Sequence, residues 1–174
     1  KAFTPGWLEN ESIWLHMSYK YLLALLKEDL HEEFHEALAT MGIPFLDEET
    51  YGRSILENSS FIASSANPDH TIHGRGFVAR LSGSTAEFLE IWQGMFFGFS
   101  PFSHGAQGLT LRFAPSLPSY LLGEKKTIRA MFLGTTPVAY DRGTKKDLLP
   151  GTYQVGDIIV THEDGQVEKF HGEI

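Results

Sequence analysis

The stretch GRGFVARLSGSTAEFLEIWQGMFFG, Gly74 to Gly98, decides how the rest of the chain is read. It opens on a Gly-Arg-Gly turn and continues through a short apolar run containing Arg80. A break follows at Ser82-Gly83-Ser84-Thr85, and an amphipathic helix closes the stretch at Gly98. Ser84 and Glu87 stand at capping-box spacing, which predicts a helix start at about Ser84. A small, hydroxyl-rich helix start leaves backbone N–H groups unpaired, and the helix dipole adds positive potential there. Ser82, Gly83 and Ser84 are therefore candidate anion ligands, phosphate being the usual occupant, with Arg75 and Arg80 near enough in sequence to face it. An ordinary capped helix gives the same pattern, because Ser-Gly-Ser is a common helix start.

Working outward, the 174 residues are enough for one good core or two small lobes. A hydrophobic share of 42% with 13% aromatics is that of a folded chain. With 14 basic against 22 acidic residues the net charge is −8, which excludes a polyanion such as nucleic acid as the expected partner but not one bound phosphate. Zero cysteines exclude disulfides, thiolate metal sites and cysteine nucleophiles. No apolar run is long enough to cross a membrane and the start lacks a signal-peptide pattern, so no membrane partner and a cytoplasmic location are expected. Lys1 in place of Met, with Phe3 and Trp7 close behind, reads as a piece of something larger.

Before the deciding stretch, Leu8 to Lys27 reads as a helix, with Ile13, Met17, Tyr21 and Leu25 in one row and Trp14, Leu22 and Leu26 beside it. So much apolar circumference needs neighbours on more than one side. Asp29 with Glu32 repeats the capping-box spacing and predicts a second helix to about Thr40, ended by Gly42 and Pro44. Two helices with almost no loop between them form an antiparallel pair, the unit of α/α barrels and solenoids. Asp47 to Pro68 has no helical period. Its Ser54–Ser65 segment mixes serines, Glu57 and Asn58 with apolar residues, which fits either a polar pocket wall or a loop whose serines satisfy backbone groups. After Gly98 the period becomes two. Strands are expected at 109–113, 127–133, 138–140, 153–161 and 167–170, with Asp164-Gly165 a strong hairpin signal. The fold class expected is α+β: a helical segment, 1–99, holding α-hairpin units and a further central helix, then an antiparallel β lobe, 100–174.

His31-Glu32-Glu33-Phe34-His35 fits H-E-x-x-H, whose histidines bind zinc while the Glu activates water. Against a zinc hydrolase, both histidines lie one step off the apolar stripe Leu30, Phe34, Leu38, Met41, among acidic residues that usually form a solvated face. The third ligand would have to come from Glu48, Glu49 or Glu57, and no metal is expected. There is no G-x-S-x-G for a serine hydrolase, and His70, His73 and His104 form no triad by spacing.

Gly74-Arg75-Gly76 followed by Leu81-Ser82-Gly83-Ser84-Thr85-Ala86 resembles the GRG…LTGTAS segment of the inverting glycoside phosphorylases of glycoside hydrolase family 94. That family includes cellobiose, chitobiose and 1,2-β-oligoglucan phosphorylases. The continuation through Phe97-Gly98-Phe99, Gly108-Leu109-Thr110-Leu111 and Ala114-Pro115-Ser116-Leu117-Pro118 is similar to their ILGI…GLRIDPCIP. Gly6-Trp7-Leu8-Glu9-Asn10-Glu11-Ser12 and Arg53-Ser54-Ile55-Leu56-Glu57-Asn58-Ser59-Ser60 look closest to the 1,2-β-oligoglucan branch. The likeness covers most of the chain, and residues 74–118 carry its specific motifs.

The resemblance implies the end of an (α/α)6 barrel followed by a C-terminal β lobe. It implies cleavage of a β-glucosidic bond by inorganic phosphate, the co-substrate, with inversion to α-glucose 1-phosphate; no other cofactor is implied. On motif matching, Ser82 and Gly83 stand where the family grips phosphate, Glu57 falls near a carboxylate of the sugar pocket, and Asn10 falls where the sugar phosphorylases carry a phosphate-binding histidine. The general-acid Asp of the family belongs to an upstream part of the barrel. Asp29, Asp47 and Asp69 stand in the wrong contexts, so no catalytic residue is expected within this chain. Since general-acid catalysis supplies a factor of about 10² to 10⁴, the segment alone is expected to be inactive. Expected partners are a β-glucan oligosaccharide, phosphate and the remainder of the parent polypeptide, with self-association through uncovered apolar helix faces. The alternative is a non-catalytic carbohydrate-binding or assembly module.

Overall fold

The computed structural model describes residues 2–78, 82–106, 108–144 and 147–172, and mixes helices with small antiparallel sheets. It divides into two compact units, Lys1–Phe113 and Ala114–Ile174. The division falls after the sequence-based boundary at 99/100.

In the first unit, β1 (Ile13–Trp14) leads directly into α1 (Leu15–Lys27), which is followed by α2 (His31–Met41) and the four-residue α3 (Glu48–Tyr51). β2 (Phe61–Ile62) lies between β1 and β3 (Gly76–Phe77) in a three-stranded antiparallel sheet. α4 (Ser82–Phe97) and the hairpin β4 (Phe102–Gly105) with β5 (Gly108–Leu111) complete it. The predicted first helix, 8–27, therefore keeps the 13 residues Leu15–Lys27 and loses those before them. Residues 8–14 are a turn and a strand, because Trp7, Trp14, Phe61 and Phe77 gather across the sheet with ring centroids 4.5 to 5.6 Å apart.

The core forms where α1 packs on α2 and α4. α1 buries Leu15, Tyr19, Leu22, Leu23 and Leu26, while α2 contributes Phe34 and Leu38 and α4 contributes Ile91, Met95 and Phe97. Each such side chain contributes about 1.5–3 kcal/mol. Of the row Ile13, Met17, Tyr21 and Leu25, the first three face outward, with Met17 57% and Tyr21 51% exposed. Gly94 lets α1 approach α4. A Cβ there would lie 3.1 Å from Leu26 Cδ2 and 2.5 Å from Phe99 Cζ.

Neither predicted capping box forms. Asp29 adopts φ +57°, Leu30 is the N-cap of α2, and no side chain caps that helix. α4 starts at Ser82, so Ser84 is already inside its first turn. The carboxylates that do cap are Asp47, which accepts from the Thr50 N–H at 2.7 Å, and Asp69, which accepts from the Thr71 N–H at 2.9 Å. Hydrogen bonds from the Thr50 and Thr71 hydroxyls, at 2.7 Å each, and then from those N–H groups hold both carboxyls below the usual aspartate range. The predicted stops at Gly42 and Gly98 hold, the latter with φ +79°.

In the second unit, α5 (Ser119–Leu122) precedes two antiparallel hairpins: β6 (Thr127–Phe132) with β7 (Thr136–Asp141), and β8 (Asp157–Thr161) with β9 (Val167–His171). Leu117, Leu122, Phe132 and Leu148 are its buried apolar residues, and Leu117 bridges Leu148. The Asp164-Gly165 turn forms as predicted, with Gly165 at φ +83° and Asp164 Oδ1 accepting from the Gln166 N–H at 2.9 Å. The predicted strands appear with shifted ends, and β1, β2, β3 and β4 are additional ones.

Candidate functional site

The Gly-Arg-Gly turn has a structural reason for each glycine. Gly74 has φ +78°, and a Cβ on Gly76 would overlap the Ser59 hydroxyl and the Tyr51 ring. Tyr51 Oη is the hub beneath it. It donates to the Glu57 carbonyl at 2.6 Å, accepts from the Ser59 N–H at 3.1 Å and shares a hydrogen bond with Ser59 Oγ at 2.5 Å. Burial raises the Tyr51 phenol above its ordinary pKa, and it raises Tyr19 further. Tyr19 Oη reaches Asn58 Oδ1 at 3.0 Å.

Ser60 and Ser64 of the 54–65 segment are bonded to backbone. Ser60 Oγ donates to the Val78 carbonyl at 2.6 Å and Ser64 Oγ to the Glu11 carbonyl at 2.6 Å. Of the two readings of that segment, the satisfied loop is the one seen for these serines. Glu57 is half-exposed and pairs with Arg53 Nη1 at 3.3 Å, while Arg53 Nε donates to the Gly76 carbonyl at 2.7 Å. Asn10 is buried, and its Nδ2 donates to the Phe3 carbonyl at 2.7 Å, tying down the N-terminal turn. Arg75 lies over Gly52, at the end of α3, where a Cβ on Gly52 would be 3.3 Å from its Nε.

At the start of α4, Ser84 is fully buried. The side chains of Ser82 and Gly83 and the whole of Arg80 lie outside the described residues. Glu87 does not return to cap the helix. Its Oε1 lies 3.8 Å from Lys20 Nζ, and its Oε2 is buried without a hydrogen-bond partner.

α1 runs alongside α4 in the same direction. Tyr19 meets Phe88 at 5.5 Å, Lys20 meets Glu87, and Lys27 Nζ lies 2.5 Å from Glu90 Oε1, while Leu26 borders Gly94. His16 is one turn before Lys20, so it stands at the level of the first turn of α4. Its Nδ1 is buried and has no hydrogen-bond partner, and its ring lies 5.7 Å from Trp14. His16 Nδ1 on α1 and Glu87 Oε2 on α4 are thus two buried polar atoms on packed helices with no hydrogen-bond partner among the described residues. The sequence reading passed over His16, because only the pairing of α1 with α4 brings it there; the period-four spacing of His16 and Lys20 was the available signal.

His35 is buried with its ring 4.8 Å from Phe34, not on a solvated face, and His31 Nε2 lies 3.6 Å from Asp29 Oδ1. Among the described residues no three histidine, aspartate or glutamate side chains gather as a metal-binding group. No helix among them is long and apolar enough to cross a membrane. No family model matches the chain, and no curated protein or solved structure matches it.

Proposed function

We propose that this chain is a section of an inverting β-glucan phosphorylase of the cellobiose and 1,2-β-oligoglucan type, and that it carries part of the phosphate site at the start of α4. The observation that carries the reading is the unsatisfied His16 Nδ1 at the level of the Ser82–Thr85 turn. An imidazole N–H and the amides of a helix start are donors of the kind an oxyanion needs. The resemblance expects a phosphate-binding histidine at Asn10; Asn10 is engaged with Phe3, and His16, six residues later in the first turn of α1, is the imidazole proposed in its place. The buried Ser84 is a support of the turn, leaving Ser82 and the Gly83 amide as the contacts proposed for phosphate.

In that reaction phosphate attacks the anomeric carbon from the face opposite the leaving oxygen, and an upstream Asp protonates that oxygen. Within this chain, Asp47 and Asp69 cap short turns and Asp147 Oδ1 accepts from the Ser119 N–H, so the acid is assigned to another part of a cytoplasmic parent enzyme. Glu57, clamped by Arg53, is the proposed sugar contact. Titration calorimetry of the chain with inorganic phosphate, and of its His16→Ala and Ser82→Ala variants, tests the site. Binding that weakens about tenfold or more in each variant is expected. Absence of phosphate binding to the wild-type chain overturns it.

A second reading, an assembly or carbohydrate-binding module without catalysis, is favoured by the outward apolar residues Met17, Tyr21 and Leu89. It predicts oligoglucan binding or self-association that is indifferent to phosphate.

A further inference from the structure

We infer that the β4–β5 hairpin is a self-pairing surface, on which two copies of this chain join edge to edge through β5. The inference is independent of phosphate binding. The Arg112 N–H donates to the Pro101 carbonyl at 2.7 Å, so Pro101 and Arg112 stand as a hydrogen-bonded position of the antiparallel ladder. Bonded and non-bonded positions alternate, which makes Phe102↔Leu111 and His104↔Leu109 non-bonded pairs. Leu109 and Leu111 therefore turn their N–H and C=O groups to the outer side of β5. The sheet has two strands, and no strand among the described residues pairs with that side. Phe102, His104, Leu109 and Leu111 also share one face of the ribbon, on which Leu109 is 71%, Leu111 50% and Phe102 45% exposed. At the tip, a Cβ on Gly105 or Gly108 would meet no atom within 4 Å.

Charge identifies the occupant as a second copy. Exposed strand edges usually carry charged side chains that oppose pairing. The other two hairpins follow that rule: β6–β7 holds Arg129 and Asp141, and β8–β9 holds Asp157, Glu168 and Lys169. β4–β5 breaks it, lying inside 91–111, the longest run of the chain without Asp, Glu, Lys or Arg. A two-fold contact sets a surface patch against itself. In a chain of net charge −8 most patches would then oppose acid to acid, and an uncharged edge is the kind that complements itself. A partner recognised by its charge finds nothing on this ribbon to pair with. With the two-fold axis at Thr110, Leu109 of one copy lies opposite Leu111 of the other. The two exchange N–H···O=C bonds, and their side chains meet across the seam on the apolar face.

The test is sedimentation velocity of the 174-residue chain over a series from about 1 to about 500 μM, for wild type, Leu109→Lys, Leu111→Lys and Leu133→Lys. Two four-residue strands bury less than the about 800 Å² per partner of a standard interface, so a monomer–dimer equilibrium in the micromolar range is expected. Leu109→Lys and Leu111→Lys are each expected to weaken the dimer at least about tenfold, because a lysine blunts a pairing edge. Both also lower the net acidic charge, so relief of general repulsion would act in the opposite direction. Leu133, in the β6–β7 turn and likewise 71% exposed, is the control, and Leu133→Lys should dimerise as wild type does. Circular dichroism checks that each variant keeps its fold. A wild-type chain that stays monomeric throughout overturns the inference without any variant, and leaves the ribbon to a different partner. A dimer that survives both β5 variants, or one that Leu133→Lys weakens equally, overturns it as well.

Discussion

Gly76→Ala tests the packing that holds the Gly-Arg-Gly turn to the Tyr51 hub. The added methyl would overlap Ser59 Oγ and the Tyr51 ring, both within the buried region, so it has no solvent side to move into. Overpacking of this kind costs about 1–3 kcal/mol. Displacing Tyr51 also breaks the bonds to the Ser59 N–H and the Glu57 carbonyl, adding about 1–2 kcal/mol. The total is about 2–5 kcal/mol, a large part of the 5–15 kcal/mol typical of a domain. Urea unfolding followed by Trp fluorescence measures it, with hydrogen exchange at the Ser60 amide, bonded to the Phe77 carbonyl at 3.0 Å, as the local readout. Gly105→Ala is the control, since a Cβ there meets nothing within 4 Å. A Gly76→Ala variant within about 0.5 kcal/mol of wild type, or one no worse than Gly105→Ala, refutes the reasoning.

Other outcomes follow from the same contacts. Tyr51→Phe leaves the buried Ser59 N–H without its oxygen acceptor and should lower stability by about 1–3 kcal/mol in the same urea assay. Alkali should destabilise the first unit: burial raises the folded-state pKa of Tyr19 and Tyr51, so their contribution is complete below the unfolded phenol value near about 10 and is lost as pH rises through the folded value. Tyr19→Phe should flatten that alkaline limb in a pH series of melting curves, and an unchanged limb would count against it. Acid acts oppositely through Asp47 and Asp69, whose lowered pKa values place their contribution above the unfolded carboxyl range and remove it as pH falls; Asp47→Asn should shift the acid midpoint measured by circular dichroism. Lys27→Ala, which loses the Glu90 pair and the contact 5.0 Å from the Phe99 centroid, should change stability by no more than about 0.5–1 kcal/mol, less at high salt, because both charges are nearly half exposed.

Local chemistry determined much of this chain. The apolar periods predicted helices over 8–27, from 29 to about 40 and from about 84 to 98, and helices form at Leu15–Lys27, His31–Met41 and Ser82–Phe97; Gly42 and Gly98 marked two of their ends, and Asp164-Gly165 marked the β8–β9 hairpin. These signals act within one turn of helix or one pair of strands, so sequence order is enough to read them. Capping was misread at Asp29 and Ser84 because a spacing of three permits a capping box without requiring one; backbone conformation and burial decided against both. Only the tertiary structure chose which apolar row of α1 faces inward. Both rows have the helical period, and Leu15-Tyr19-Leu22-Leu26 won because α2 and α4 cover that side. Packing also left His16 Nδ1 buried without a hydrogen-bond partner, and it engaged Asn10 with the Phe3 carbonyl and Glu57 with Arg53. Such pairings join residues from distant parts of the chain, and their partners are set by packing, on which no local period carries information.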